Sequence, residues 1–211
     1  MRIPVVTGCL LTFSTGLQSA NTAQDCVTIA TPKPALGYTY QHLESTGRKT
    51  AYTSHWESVT ETGSRVRTTR GGAVIIQVNR HHIADDVAVL DESRQMNARG
   101  GVVQSTRFRP GMVSDPAFRA CAGRSWRIPA VTASFRSTQN SASAATPAGT
   151  LKIVAIREAI TVPAGTFATV HYIRTSQSVD EYWKSIEHGV VVKHIGKLPG
   201  AVVTDVLVAI K

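Results

Sequence analysis

The sequence predicts an all-β protein, a single curved antiparallel sheet or half-barrel built from hairpins. Three observations carry that reading. Short alternating or apolar runs recur, with Gly, Pro, Asn or Asp at the breaks between them. No stretch keeps a helical apolar period for more than about two turns. Strands that follow one another without helical crossovers pair antiparallel.

The clearest hairpin is the stretch 161–167, Thr-Val-Pro-Ala-Gly-Thr-Phe. Pro163 fixes φ at about −65° and lacks an N–H, which suits the first corner of a turn. Gly165 can take the positive φ that the next corner demands. β-patterned runs over 151–160 and 167–175 flank it.

Taken in order, residues 25–35 carry Pro32 and Pro34 and form an extended lead-in. Strands are expected over 37–46, 50–60 and 65–70, with turns at 46–48 and 62–64. Tyr52, Ser54, Trp56 and Ser58 fall on one face by period two. The run 73–78 is almost wholly apolar and reads as buried on both sides or as a sheet centre. A turn over 79–85, a strand over 86–91, a loop over 94–101 and a strand over 102–108 follow. Pro110-Gly111 breaks the chain, and 112–121 reads as irregular or a short helical turn. Strand character returns over 123–128 around Trp126. Residues 137–146 are nearly all Ser, Ala, Thr, Gln and Asn, so a flexible surface loop is expected at 137–148. Further strands are expected around 182–184 and 190–194. The last, 201–210, is apolar on both sides, as in a well-covered strand.

A chain of 211 residues can bury a sizeable core. Its formal charge is +9, or +8 without Arg2 (22 basic against 14 acidic residues). The basic residues are scattered, with no dense run and no interleaved aromatic ladder. A solvated basic surface is expected, with attraction to an anionic envelope surface as its functional form and no nucleic-acid partner. No run of about 18 apolar residues exists, so no transmembrane segment is expected. Arg2, a mostly apolar stretch over 3–17 and small or polar residues through Ala23 follow the order of a secretory signal peptide. That assigns 1–23 to a signal and 24–211 to one antiparallel β domain. Beyond Cys9 the chain keeps Cys26 and Cys121, an even pair that reads as a disulfide in an exported protein.

Motifs for catalysis are sparse. His55-Trp56-Glu57 matches half of a zinc deaminase signature, but no P-C-x-x-C follows. His81-His82, with Asp85 and Asp86 nearby, is the densest ligand-like cluster, yet neighbours on a strand point to opposite faces, and no metal is expected. His171 reads as a hydrogen-bonded sheet residue. Ser125 lacks the glycine two positions later that a nucleophile elbow needs. Glu158, Asp180, Glu181, Glu187 and Asp205 show no pairing by spacing. No catalytic residue and no cofactor is assigned. The aromatics Trp56, Trp126, Tyr172, Tyr182 and Trp183 are the candidate ligand-binding residues, lining a groove on a concave sheet.

The C-terminal half carries a resemblance. Gly123 to Trp126, then Val162-Pro163-Ala164-Gly165-Thr166-Phe167, then Tyr182-Trp183 and His188-Gly189-Val190-Val191-Val192-Lys193 resemble a family of bacterial exported β-proteins of unknown function. Their half-barrels are loosely like those of periplasmic lipoprotein carriers. The resemblance covers about 108–210 and implies a strongly curved antiparallel sheet, with no catalytic residues to carry over. The aromatic order here is Tyr-Trp, and Glu187-His188 is more charged than that family's residues. The resulting expectation is a non-catalytic envelope protein, periplasmic or secreted. It would bind an apolar or glycan ligand, or an envelope protein, on its curved sheet. The alternative is a hydrolase with a His-based site.

Overall fold

The computed structural model describes residues 25–211, and the expected signal peptide at 1–23 lies outside the described residues. The strands are β1 (Cys26–Thr28), β2 (Gly37–Glu44), β3 (Lys49–Val59), β4 (Gly63–Arg70), β5 (Ala73–Ala84), β6 (Val87–Asn97), β7 (Val102–Pro116) and β8 (Arg119–Cys121). They continue with β9 (Ser125–Ile128), β10 (Val131–Ser137), β11 (Ser141–Thr146), β12 (Gly149–Val162), β13 (Gly165–Thr175), β14 (Val179–Ser185), β15 (Val191–Leu198) and β16 (Ala201–Ile210). Fourteen of them form one antiparallel sheet in the order β11-β10-β7-β6-β5-β4-β3-β2-β16-β15-β14-β13-β12-β9. β1 and β8 make a separate two-stranded ribbon.

The 161–167 stretch is the tight hairpin its turn chemistry demands. Val162 pairs with Gly165 across Pro163-Ala164, and the hydroxyls of Thr161 and Thr166 meet at 2.9 Å. Gly165 has φ +135°. The tip is tied inward by Ala164 N–H donating to Leu207 O at 3.3 Å.

Several stretches depart from expectation. Residues 112–121 are strand rather than irregular or helical, ending β7 and forming β8. Pro110-Gly111 does not end β7. It sits where the register jumps, Leu90 facing Met112 while Glu92 faces Arg107. β5 continues to Ala84, so the turn falls on Asp85-Asp86, both with positive φ (53° and 66°). Asp tolerates that region because its short polar side chain bonds locally. β6 likewise runs on to Asn97. The loop expected at 137–148 contains β11, paired with β10 from Val131↔Thr146 to Arg136↔Ser141. Ser and Ala carry little strand signal, but the ladder satisfies their backbone groups. β11 stays exposed, as a sheet edge without a core face.

The sheet curls without closing into a barrel. Bulges at Ile153/Ala155 and Ile156/Glu158 bend β12, and Arg157 takes φ +57° there. Residues 29 and 30 bridge the two ends, Ile29 N–H donating to Phe118 O and Ala30 N–H to Ile186 O, both at 2.8 Å, and side chains add to that link. Lys184 Nζ on β14 donates to Asp115 Oδ2 on β7 at 2.5 Å and to Pro116 O at 2.9 Å. Trp126 Nε1 on β9 donates to Asp85 O at 2.9 Å. Between these links lies the larger core, where Trp126, Leu151, Ile153, Val170 and Tyr172 pack on Val87, Val89 and Val113. The ribbon covers it with Val27 and Ile29. A Cys26–Cys121 disulfide, spanning 95 residues, locks the ribbon. A second core gathers Tyr38, Tyr40, Val162, Trp183, Val190, Val192 and Leu207.

Candidate functional site

Directly opposed residues on paired strands share a face. Following the register from β3 to β12 therefore gives one row across seven strands: Thr50, His42, Asp205, His194, Tyr182, Tyr172, Ile153. The row is wired by contact. Tyr172 stacks on Tyr182 with centroids 4.9 Å apart, and Tyr182 stacks on His194 at 4.5 Å. His194 Nδ1 lies 3.1 Å from Asp205 Oδ2, and its Nε2 lies 3.2 Å from Asp180 Oδ1. His42 Nδ1 reaches Asp205 Oδ1 at 2.8 Å, and the Tyr52 hydroxyl donates to the same oxygen at 3.3 Å.

Gly196 makes room for this network. A Cβ there would lie 2.9 Å from Val203 Cγ2 and 3.1 Å from Asp180 Oδ1. Asp180 also accepts from Ser178 Oγ at 2.6 Å, and Arg174 lies 3.5 Å away.

Electrostatics follow from these bonds. Burial pushes the Asp205 carboxyl up, but the bonds from His194 and His42 outweigh it and hold it below its ordinary 3.8. Asp180 behaves alike: burial raises it, and Ser178 and His194 pull it lower still. Burial opposes charge on His194, yet Asp205 and Asp180 together raise it above 6.5. When protonated, its ring donates from each nitrogen to a carboxylate, Asp205 on one side and Asp180 on the other. Burial pushes the Tyr182 hydroxyl up to about 12 and raises Tyr40 and Tyr52 as well, so the phenols stay neutral.

Beside this row opens a cleft of about 250 Å³ lined by Tyr40, Tyr52, Trp56, Val66, Tyr182 and Val191, with Ser54, His194 and Asp205. Tyr40 and Tyr52 stack at 5.1 Å along its wall. Trp56 also lines a second compartment of about 210 Å³, whose walls include Ile83, Ala88, Leu90 and Phe118. The two hollows therefore share a tryptophan.

Of the five aromatics expected to bind ligand, Trp56 and Tyr182 meet in this cleft. Trp126 and Tyr172 are buried in the larger core instead. Trp183 points to the opposite face, 6% exposed, where it stacks on His171 at 4.4 Å and lies under Lys193 Nζ at 4.7 Å. Alternation forces this split, because Tyr182 and Trp183 are neighbours on β14. His171 sits 3.1 Å from Glu158 Oε2 and 3.9 Å from Glu181 Oε2, so the register pairs carboxylates that spacing left unpaired.

Tyr40, Tyr52, His194 and Asp205 are cleft residues that the sequence does not single out. Tyr40 and Tyr52 carried a signal, since both sit in Tyr- and Thr-rich strands. The His–Asp pairs carried none: His42 and Asp205 are 163 residues apart. His81 and His82 do face apart, the first bonded to Thr60 O and the second to Asp91. Among the described residues no group of three His, Cys, Asp or Glu side chains is placed to hold a metal, and no helix is long and apolar enough to cross a membrane. No protein-family model, no curated protein and no solved structure matches this chain.

Proposed function

We propose that this is a non-catalytic exported envelope protein that binds an apolar ligand in the double cleft on the inner face of its curved sheet. The observation that carries the reading is Trp56, shared by an aromatic hollow and a second hollow where Val59, Ile83, Leu90 and Phe118 stand beside Asn79, His81 and the paired Asp115 and Lys184. Ring faces and branched side chains offer apolar area without demanding polar partners from the ligand. The polar groups that line the first hollow are already engaged, Asp205 and His194 with each other and Ser54 with Thr68. A glycan would need free donors and acceptors there, so an apolar ligand fits better. The disulfide and the resemblance of the 162–167 hairpin to exported β-proteins support the envelope placement.

The hydrolase alternative fares worse. His194 has a carboxylate on each ring nitrogen, so neither nitrogen is turned toward a nucleophile. N-phenyl-1-naphthylamine, an apolar fluorophore, tests the reading. Its fluorescence should rise on binding the protein, and Trp56→Ala should weaken that binding by roughly tenfold, the worth of one well-packed aromatic contact. Unchanged affinity in Trp56→Ala, with the fold intact by circular dichroism, overturns the assignment.

A further inference from the structure

The opposite face of the sheet carries a different chemistry. On β4, Ser64 and Val66 face the clefts, so Arg65 and Arg67 face away. On that outer face the register lines up Arg80, Glu92, Arg107, Ser134 and Ser143 across β5, β6, β7, β10 and β11. The next row places Arg94, Ser105 and Arg136 side by side, and Arg109 opposes Thr132 one step further. Five arginines thus surround a single carboxylate, Glu92.

Glu92 is already saturated. Arg94 Nε lies 2.9 Å from its Oε1, Arg107 Nε 3.5 Å from the same oxygen, and Arg80 Nη2 3.8 Å from Oε2. Four positive charges remain in excess (five guanidiniums less one carboxylate). Arg109 and Arg136 make no ion pair among the described residues. Together with Arg107 and a set of serine hydroxyls they line an open hollow of about 630 Å³. Guanidinium forks match the oxygens of a phosphodiester, and serine hydroxyls add short donors.

A second observation says where those phosphates sit. Val102 pairs with Met96, two residues along β6 from Arg94, and so turns to the same outer side. It is 48% exposed and shares an adjoining hollow with Arg136. An exposed apolar side chain beside a cationic patch fits the boundary of a lipid bilayer, where charge meets headgroups and apolar groups enter the ester region. A soluble polyanion would leave it in water.

We propose that the outer face of β5, β6, β7, β10 and β11 docks this protein onto an anionic phospholipid surface. Arg107, Arg109 and Arg136 would take headgroup phosphates, with the exposed Val102 entering the interface. This does not rest on the ligand cleft, which opens on the other face.

Co-sedimentation of the full chain with lipid vesicles tests it. The protein should pellet with phosphatidylcholine vesicles containing phosphatidylglycerol, not with phosphatidylcholine alone, and rising salt should release it. Arg109→Gln/Arg136→Gln should weaken binding on the order of tenfold, since each guanidinium near the surface adds to the attraction. Arg48→Gln/Lys49→Gln removes the same charge from the exposed β2–β3 turn and should bind nearly as the parent does. Val102→Ser should weaken binding without changing its salt dependence. Equal loss in both charge pairs would reduce the effect to net charge and overturn the site. So would equal binding to both vesicle types, or binding to soluble polyphosphate but not to vesicles.

Discussion

Two rows of side chains cross the same sheet by the same pairing rule and end in opposite states. The inner row from Thr50 to Ile153 is closed on itself: Asp205 accepts from His42, His194 and Tyr52, and His194 reaches Asp180 as well. The outer rows end in surplus. Glu92 serves three arginines, and Arg109 and Arg136 have no carboxylate among the described residues. A closed network holds a wall in place and leaves its neighbours, here the ring faces of the cleft, free to meet a ligand. An unsatisfied cationic row does little for the fold and awaits a partner. Stability and recognition are thus divided between two faces.

Substitutions should separate the two. The largest loss is expected where the inner row enters the core. Tyr172 is 2% exposed and stacked on Tyr182, so Tyr172→Ala should cost about 3–5 kcal/mol in urea unfolding. A loss below about 1 kcal/mol would mean that the row does not hold the wall.

A middle-sized effect is expected at Asp205. Asp205→Asn leaves three donors with a weaker acceptor and should cost roughly 1–3 kcal/mol. The sign with pH follows from the shifts. Asp180 and Asp205, held below 3.8, add stability above that pH, and it is lost as pH falls through their folded values. His194, raised above 6.5, adds stability that is complete below 6.5 and lost as pH rises through its folded value. Stability of the parent should therefore peak between 3.8 and 6.5. Above that window Asp205→Asn should lose stability less steeply, because its His194 keeps one carboxylate in place of two. Parallel pH profiles for the two proteins would contradict the clamp.

The smallest effect belongs to the outer face. Arg109→Gln/Arg136→Gln should move unfolding stability by no more than about 0.5 kcal/mol, as exposed charges do. A larger change would give those arginines structural partners and erase the contrast between the faces.

The same division explains what could be read from the sequence. Local chemistry was legible: the Pro163–Gly165 hairpin, the strand rhythm and the Cys26–Cys121 pair all stand in the structure. β11 was not, because an edge strand held only by backbone bonds needs no apolar alternation. Long-range register was not legible either. Residues 42, 194 and 205 meet only because β2, β16 and β15 lie side by side. The arginines looked scattered along the chain for the same reason. Period two puts Arg107 and Arg109 on one face, but only pairing with β6 and β10 brings Arg94 and Arg136 beside them. Chain order says nothing of which face a strand turns inward, so the sequence favours Trp183 as readily as Tyr40 or Tyr52.

The division of labour between faces is tested most directly by one paired measurement. Affinity for N-phenyl-1-naphthylamine and for phosphatidylglycerol vesicles is taken on the parent, Trp56→Ala and Arg109→Gln/Arg136→Gln. The account predicts that Trp56→Ala loses the fluorophore and keeps the vesicles, while the arginine pair loses the vesicles and keeps the fluorophore. Loss of both affinities in either variant would contradict it.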